Sequence, residues 1–161
     1  MGRWTRAEIE QALDRYQAAA LKGAQEGDWR DCADMFTLDA TYFEHQYGRF
    51  WGRENILKWI EGVMKPFPAN CMTAFPIRWY SIDVQKGWVI CEVLNRMEDL
   101  GDSVIYEEPN ITILHYAGNG LFSYEEDAYD RQRMGEMVVR WIKAKEKADA
   151  DKGQAARPSG G

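Results

Sequence analysis

The sequence has few of the residues that bind transition metals or cross-link secreted domains. It contains only two histidines, His45 and His115, and three widely spaced cysteines without a CxxC pair. Neither a histidine-rich metal site nor a disulfide framework is therefore indicated. We expect Cys32, Cys71 and Cys91 to be free thiols in a reducing compartment. We also expect no bound metal, although a carboxylate site for a hard cation stays open as an alternative.

Long apolar runs and basic clusters are also missing. The net charge is -6, and no basic stripe is visible, which argues against nucleic acid and anionic membrane as partners. No apolar run reaches the length of a membrane span, and the N-terminus shows no hydrophobic signal segment. We therefore expect a cytoplasmic protein.

Aromatic residues, by contrast, are abundant. Hydrophobic residues make up 45% of the 161 residues, and there are 7 Trp, 8 Tyr and 6 Phe. The length is enough for one domain with its own core. The aromatic side chains indicate either a thick core or the walls of a cavity for a flat organic ligand, and composition leaves both alternatives open.

The first half of the chain is predicted to be mostly helical. Thr5 and Glu8 have the spacing of a capping box, Asp28 is a candidate N-cap, and Pro66 and Pro68 end the third helix. In chain order, the patterns predict helices over about 5–27, 28–36 and 53–65, a strand over 39–47 and a turn over 48–52.

From Thr73 onward β-branched and aromatic residues dominate. The pattern predicts strands over about 73–84, 88–98, 104–117 and 121–129, with hairpin turns at 85–87 and 118–120 and a last helix over 132–147. Pro109 predicts a bulge or bend in its strand. We expect a single domain over 1–147 and a disordered tail over 148–161. This is an α+β plan in which helices cover the concave face of a curved sheet and leave a cavity.

Three stretches, 27–42, 52–56 and 118–130, resemble the SnoaL-like branch of the nuclear transport factor 2 superfamily. Its relatives include ketosteroid isomerase, polyketide cyclases and limonene epoxide hydrolase. The resemblance implies their cone-shaped fold, with a curved mixed or antiparallel sheet, helices over its concave face and a C-terminal helix. The same fold hosts isomerases, cyclases, dehydratases, hydrolases and non-catalytic proteins.

The resemblance also implies candidate catalytic residues. The general base of the isomerase matches Glu44, and the polar residues of the hydrolase match Tyr42, Glu44, Glu92 and Asp127. The orienting arginine of the hydrolase matches Ile90, which counts against epoxide hydrolysis by that mechanism.

Strand geometry supports part of this set without the resemblance. Side chains alternate along a strand, so Tyr42 and Glu44 share one face, and His45 is expected on the other. Glu92 lies in an otherwise apolar strand. If Glu44 and Glu92 project into one low-dielectric cavity, they push each other's pKa apart, as acid–base catalysis requires. The alternative is that Glu44 ends its strand in solvent and that Glu92 pairs with Arg78 or Arg96.

Other side chains are candidates for ligand contact. Asn110 precedes a run of alternating residues and is expected to point inward, and His45 lies beside Glu44. Trp59, Trp79 and Trp88 are candidate pocket walls, although core packing explains them equally well. The Glu125-Glu126 pair is interpreted as a solvated face.

The leading hypothesis is a cofactor-independent isomerase- or cyclase-type enzyme that acts on a small hydrophobic carbonyl compound. Glu44 would be the base, Tyr42 and Asn110 would polarise the oxygen, and Glu92 or Asp127 would be the second acid. One alternative is an epoxide hydrolase that activates water with the same acids. Another is a non-catalytic module that binds a ligand or a partner. A homodimer is expected, because the outer sheet face carries Trp and aliphatic residues.

Overall fold

The computed structural model describes residues 3–155. In chain order the elements are α1 (Arg6–Glu26), α2 (Arg30–Ala33), β1 (Phe36–Glu44), β2 (Gly48–Trp51), α3 (Arg53–Met64), a 3-10 turn (Ala69–Cys71), β3 (Met72–Ala74), β4 (Ile77–Asp83), β5 (Trp88–Met97), β6 (Glu107–Gly118), β7 (Leu121–Ala128) and α4 (Arg131–Ala155). The order confirms an α+β fold, with three helices near the start and one at the end.

The strands form one curved, unclosed mixed sheet. Its order is β2-β1-β7-β6-β5-β3, and β4 also pairs with β5. β1 runs parallel to β7, whereas the other pairs are antiparallel. Burial alternates along β6, so one face of the sheet is covered and the other is more open. The main core lies between the covered face and helices α1 to α3.

Helix α1 brings a stripe of side chains onto the covered face of the sheet. Thr5 caps it, since its Oγ1 accepts a hydrogen bond from the Glu8 N–H at 3.2 Å, as the capping box predicts. A β-carbon on Gly23 would lie 2.6 Å from the Trp29 ring. Glycine at this position therefore lets α2 pack closely against α1. Tyr16 lies on the same helix, and its role is described below.

Several predicted boundaries differ from the structure. The first strand begins at Phe36 because the second helix is only one turn long. The segment predicted as a turn over 48–52 contains β2, which pairs with β1. The strand predicted over 73–84 is divided into β3 and β4, with Pro76 between them. A prolyl nitrogen has no hydrogen to donate to the ladder, so a break at this position is expected.

Pro109 does not produce the predicted bulge. It pairs with Leu94 in regular register, and the register shifts of β6 occur near Tyr116 instead. β7 pairs with β6 only from Ile111 onward, so at Pro109 the strand has β5 as its single neighbour. A missing N–H is tolerated at such a position.

Helix α4 is longer than predicted and builds a second, smaller core. It continues past the predicted end at Lys147 to Ala155, and the remaining tail residues 156–161 lie outside the described residues. Met137 and Trp141 pack with Met97 of β5, and Trp141 Nε1 donates to the Glu98 carbonyl oxygen at 2.9 Å.

None of the helices in residues 3–155 combines the length and apolar character needed to cross a membrane.

The second core makes Trp141 a large contributor to stability. Trp141→Ala removes a fully buried indole, and we expect it to lower the free energy of unfolding by about 3–5 kcal/mol. Val139→Ala, on the exposed side of the same helix, is the control and should change it by less than about 0.5 kcal/mol. Urea unfolding followed by fluorescence measures both. Equal effects would contradict the packing of α4 described above.

Candidate active site

A cavity of about 150 Å³ lies between the covered face of the sheet and the helices. We call it the inner chamber. Its apolar walls come from both layers and are Ala20, Trp29, Ile60, Met64, Phe75, Ile77 and Val93. Its polar lining is Tyr16, Gln17, Cys32, Tyr42, Asn95, Asn110, Thr112, Glu125 and Asp127. Aromatic and aliphatic walls with convergent polar groups are typical of a small-molecule site.

Asp127 is held by three donors from neighbouring strands. The Tyr42 hydroxyl of β1 donates to Oδ2 at 2.5 Å. On β6, the Thr112 hydroxyl and Asn110 Nδ2 donate to Oδ1 at 2.5 Å and 3.0 Å. Burial raises the pKa of Asp127 from its ordinary value of 3.8 to about 6, although these donors oppose the shift because they favour the ionised form. Asp127 is therefore mostly ionised at neutral pH and has a fixed orientation.

Glu125 lies two residues before Asp127 on β7 and has a different environment. Only 1% of its surface is exposed. Tyr16 of α1 donates to its Oε1 at 2.6 Å, and its Oε2 is buried without a hydrogen-bond partner. Burial, followed by the nearby charge of Asp127, raises the pKa of Glu125 well above its ordinary value. Its surroundings therefore favour the neutral form of Glu125, whose proton can serve a ligand.

Within residues 3–155, no Lys, Arg or His side chain lines the chamber to offset these two acids. The same burial raises the pKa of the Tyr16 and Tyr42 hydroxyls and of the Cys32 thiol, so all three stay protonated and uncharged. The Tyr groups are therefore donors, and Asp127 is the group in this set that titrates near neutrality.

A second space, which we call the outer chamber, adjoins the inner one and has a volume of about 410 Å³. It is lined by residues of α3, the 66–69 segment and α4, among them Trp59, Phe67 and Val138. Asp127 and Asn110 line both chambers. Asp127 thus lies at the junction of the two spaces.

Glu44, the predicted base, lines the outer chamber and not the inner one. It is 4% exposed, so it does not end in solvent. Its Oε2 accepts hydrogen bonds from the backbone N–H groups of Gln46 and Tyr47, both at 2.6 Å. Two such bonds fix the turn after β1 and occupy Oε2. This geometry favours a structural role for Glu44 over the predicted one.

Glu92 does not reach either chamber. It lies on the outer face of β5 and pairs through both carboxylate oxygens with Arg78 of β4, which is the alternative that the sequence left open. Val93 and Asn95 occupy the chamber-facing positions of the same strand. The expectation that Glu44 and Glu92 share one hollow is therefore wrong.

The other predicted contacts divide between the two faces of the sheet. Tyr42 and Asn110 line the inner chamber, and Trp59 contacts the Tyr42 ring at a centroid distance of 4.6 Å. His45 lies on the outer face, where it contacts Glu126 at 2.7 Å. Trp79 and Trp88 are also outside, and 45% and 38% of their respective surfaces are exposed. They are not walls of the chambers.

Sequence reasoning missed Glu125 and Tyr16. Glu125 was assigned to a solvated face, although strand alternation places it on the same face as Asp127, two residues further on. That alternation was the available signal. Tyr16 has helical spacing with Ile9, Ala12 and Leu13, so it looked like one more core residue. Nothing in the sequence indicates that its hydroxyl meets Glu125.

The buried, neutral state of Glu125 predicts an unusual pH dependence of stability. Its folded pKa is raised, so above its ordinary value of 4.5 the unfolded chain loses a proton that the folded chain keeps. Unfolding becomes easier as pH rises, by up to about 1.4 kcal/mol per pH unit. Glu125→Gln mimics the neutral acid and should remove this slope above about pH 6, because Asp127, whose pKa is raised to about 6, contributes a slope of the same sign only below that value. Urea unfolding at a series of pH values measures it.

The neighbouring Glu126→Gln is the matched control, because its pKa is shifted in the opposite direction. His45, followed by Tyr124, lowers the pKa of Glu126, so its contribution is present above its ordinary value of 4.5 and is lost as pH falls. Removing Glu126 should therefore leave the downward slope at higher pH intact. A slope of the same size in Glu125→Gln and wild type would show that Glu125 ionises freely.

Comparisons with known proteins bear on the fold. No protein-family model matches the sequence, and no curated protein matches it. A protein with a ketosteroid isomerase-like fold from Catenulispora acidiphila, solved in complex with trimethylamine, is 17% identical, with 80% of this chain and 92% of that chain covered and a TM-score of 0.62. A structure described as a SnoaL-like polyketide cyclase from Jannaschia is 14% identical, with 86% and 97% covered and a TM-score of 0.64.

An LEH-like epoxide hydrolase from M. tuberculosis is also 14% identical, with 86% of this chain and 94% of that chain covered and a TM-score of 0.61. At these identities the likeness concerns the fold and not the reaction. The chain has the nuclear transport factor 2-like fold, which isomerase-like, cyclase-like and epoxide hydrolase-like proteins share.

Proposed function

We propose that the protein is a cofactor-independent isomerase- or cyclase-type enzyme that removes a proton from a carbon next to a carbonyl group. Asp127, rather than Glu44, is the general base, and neutral Glu125 is the hydrogen-bond donor to the carbonyl oxygen. One observation carries the proposal: two carboxyl groups share a buried chamber, one of them fixed by three donors and the other with an unpartnered oxygen.

The two acids divide the work of enolisation. Ionised Asp127 takes the proton from carbon, and the C–H electron pair becomes the carbon–carbon π bond of an enolate. Negative charge then develops on the substrate oxygen, and the buried Glu125 O–H donates a hydrogen bond to it. Return of the proton to a different carbon gives an isomer. Attack of the enolate carbon on a second carbonyl group of the same molecule, followed by return of the proton from Asp127 to the new alkoxide, gives a cyclised product.

The size of the chambers suggests how a substrate is held. An apolar cavity of about 150 Å³ accepts a benzene-sized ring, and the inner chamber has that volume. The rest of a larger molecule would extend past Asp127 into the outer chamber. A small hydrophobic compound with its acidic carbon at the junction fits this arrangement.

Epoxide hydrolysis is a second candidate. The cluster of Tyr42, Asn110 and Asp127 can also orient a water molecule, and an epoxide hydrolase shares the fold. The arginine expected in that mechanism has no equivalent in the inner chamber, whose described lining has no cation. Incorporation of labelled oxygen from water into a diol product would distinguish hydrolysis from enolisation.

A non-catalytic ligand-binding role is the third candidate. The Catenulispora protein is described in complex with a small molecule, which supports small-ligand binding within this fold. A binding role without proton transfer does not require the raised pKa of Asp127. The assay described next decides between this reading and the catalytic one.

A generic carbon-acid probe tests Asp127 without knowledge of the natural substrate. A nitrobenzisoxazole fits the purpose: a base removes its ring C–H proton, the N–O bond breaks, and the coloured phenolate is followed by absorbance. Asp127→Asn should lower kcat/KM by about 10²–10⁴, which is the usual contribution of a positioned base. The wild-type rate should rise with pH through about 6, since the base must be ionised.

Glu126→Gln is the control for this assay. Glu126 points to the outer face, where it contacts His45 and Tyr124, so its loss should leave kcat/KM within about two-fold of wild type. If Asp127→Asn reacts as fast as wild type, Asp127 is not the base. If neither protein exceeds the rate of acetate in solution, the non-catalytic reading is favoured.

We also propose that the protein forms a homodimer through the outer face of the sheet. Trp79, Trp88 and Ile90 are exposed there, and His115 stacks between Trp88 and Tyr124 with centroid distances of 4.6 Å and 4.5 Å. A contiguous aromatic surface of this kind is rarely left uncovered. Light scattering should give twice the chain mass for wild type and the single-chain mass for Ile90→Glu. A wild-type mass equal to one chain would refute the dimer.

A further inference from the structure

The inner chamber has an unbalanced charge. Two carboxyl groups, Glu125 and Asp127, line it, and the described lining has no Lys, Arg or His side chain. By contrast, the buried acids outside the inner chamber have a cation or backbone donors: Arg78 pairs with Glu92, Arg133 pairs with Glu108, and backbone N–H groups bind Glu44. The three donors to Asp127 are neutral and leave its net charge in place, so a positive group supplied from outside would be favoured here.

The walls of the chamber suit an organic cation. Four aromatic side chains contribute to the lining: Tyr16, Trp29, Tyr42 and Phe75. The face of an aromatic ring attracts an ammonium group, and the attraction is stronger where water is excluded. An anionic ligand would meet the two acids and the negative ring faces together. The chamber therefore discriminates by charge as well as by size.

Glu125 provides an independent indication of a ligand. Its Oε2 is fully buried and unpartnered, and the residue lines the chamber. Buried side-chain oxygens are usually satisfied, and an exception needs a reason. A ligand group beside Oε2 supplies that reason.

The proposed reaction adds a requirement of its own. When Asp127 takes the proton, its negative charge moves to the enolate, and the chamber still contains one uncompensated negative charge. Among residues 3–155, no Lys, Arg or His side chain lines the space to neutralise it. A positive nitrogen within the substrate would balance the carboxylate before proton transfer and the enolate after it.

We propose that the inner chamber selects a small organic cation, and that the substrate class of this site is an amine- or ammonium-bearing carbonyl compound. The part concerning the substrate rests on the proposed function, whereas the preference for a cation stands on the geometry of the chamber alone. The cation is placed between the aromatic walls and the carboxylate of Asp127.

The charge of the chamber depends on pH through Asp127, and several titratable groups face it. They are Tyr16 of α1, Cys32 of α2, Tyr42 and Glu44 of β1, Cys91 of β5, Glu125 of β7, and Tyr129 after β7. Burial raises the pKa of both Tyr16 and Cys32, which remain uncharged throughout the range of interest. Protonation of Asp127 should therefore remove most of the attraction for a cation.

Three monosubstituted benzenes that share one ring and differ in charge test the proposal. Benzylammonium, benzyl alcohol and benzoate are titrated into the full-length protein by calorimetry at about pH 8 and about pH 5, on either side of the Asp127 pKa of about 6. At the higher pH, benzylammonium should bind at least about ten-fold more tightly than benzyl alcohol, and benzoate should not bind measurably. At the lower pH the preference for the cation should fall below about three-fold.

Two neighbouring variants localise the effect. Asp127→Asn should abolish the preference for benzylammonium at the higher pH, and Glu126→Gln, which removes a charge from the outer face, should retain it. The pH dependence of wild type gives the same information if Asp127→Asn does not fold. The proposal is overturned if benzyl alcohol binds as tightly as benzylammonium, if Asp127→Asn retains the preference, or if Glu126→Gln loses it.

Failure of this proposal is distinguishable from failure of the proposed function. Binding is measured with unreactive probes, whereas proton abstraction is measured with the nitrobenzisoxazole. If Asp127→Asn loses the reaction but wild type shows no preference for the cation, Asp127 is still the base and the proposal of an amine-bearing substrate fails. A cation preference without proton abstraction leaves a binding site for amines.

Discussion

The site is organised by two carboxyl groups that share one enclosed chamber. Glu125 and Asp127 lie on the same face of β7, where Glu125 is buried and Asp127 is half-buried at the junction of the two chambers. Two charges cannot be accommodated there without a cation, so one carboxyl keeps its proton. The donors decide which one: Asp127 receives three hydrogen bonds and Glu125 receives one, from Tyr16.

The fold provides this arrangement by joining distant parts of the chain. β1 runs parallel to β7, which places Tyr42 beside Glu125 and Glu44 beside Asp127 in the register of the two strands. The neighbouring β6 contributes Asn110 and Thr112, and α1 brings Tyr16 from the other side. Helix α4 and its small core extend the site by adding a wall to the outer chamber. Stability and site geometry are thus coupled through the sheet.

The sequence predicted the fold better than the site. Capping and hairpin signals are local, and they located α1, α3 and the meander, while the resemblance supplied the cone-shaped architecture. Side-chain direction is not local. β5 places Val93, and not Glu92, toward the chamber. Alternation alone did not reveal this, because in a strand with apolar residues on both faces the pattern does not show which face is turned toward the core. The role of Tyr16 depends on a contact between residues 109 positions apart, which no pattern within one helix contains.

The two neighbouring acids of β7 should have different protonation states at neutral pH. Carbon-13 NMR of the side-chain carboxyl groups, assigned with Glu125→Gln and Asp127→Asn, measures both states. We expect the Glu125 signal to stay at the protonated position at pH 7 and the Asp127 signal to titrate near 6. Titration of both signals near the ordinary values of 4.5 and 3.8 would refute this difference.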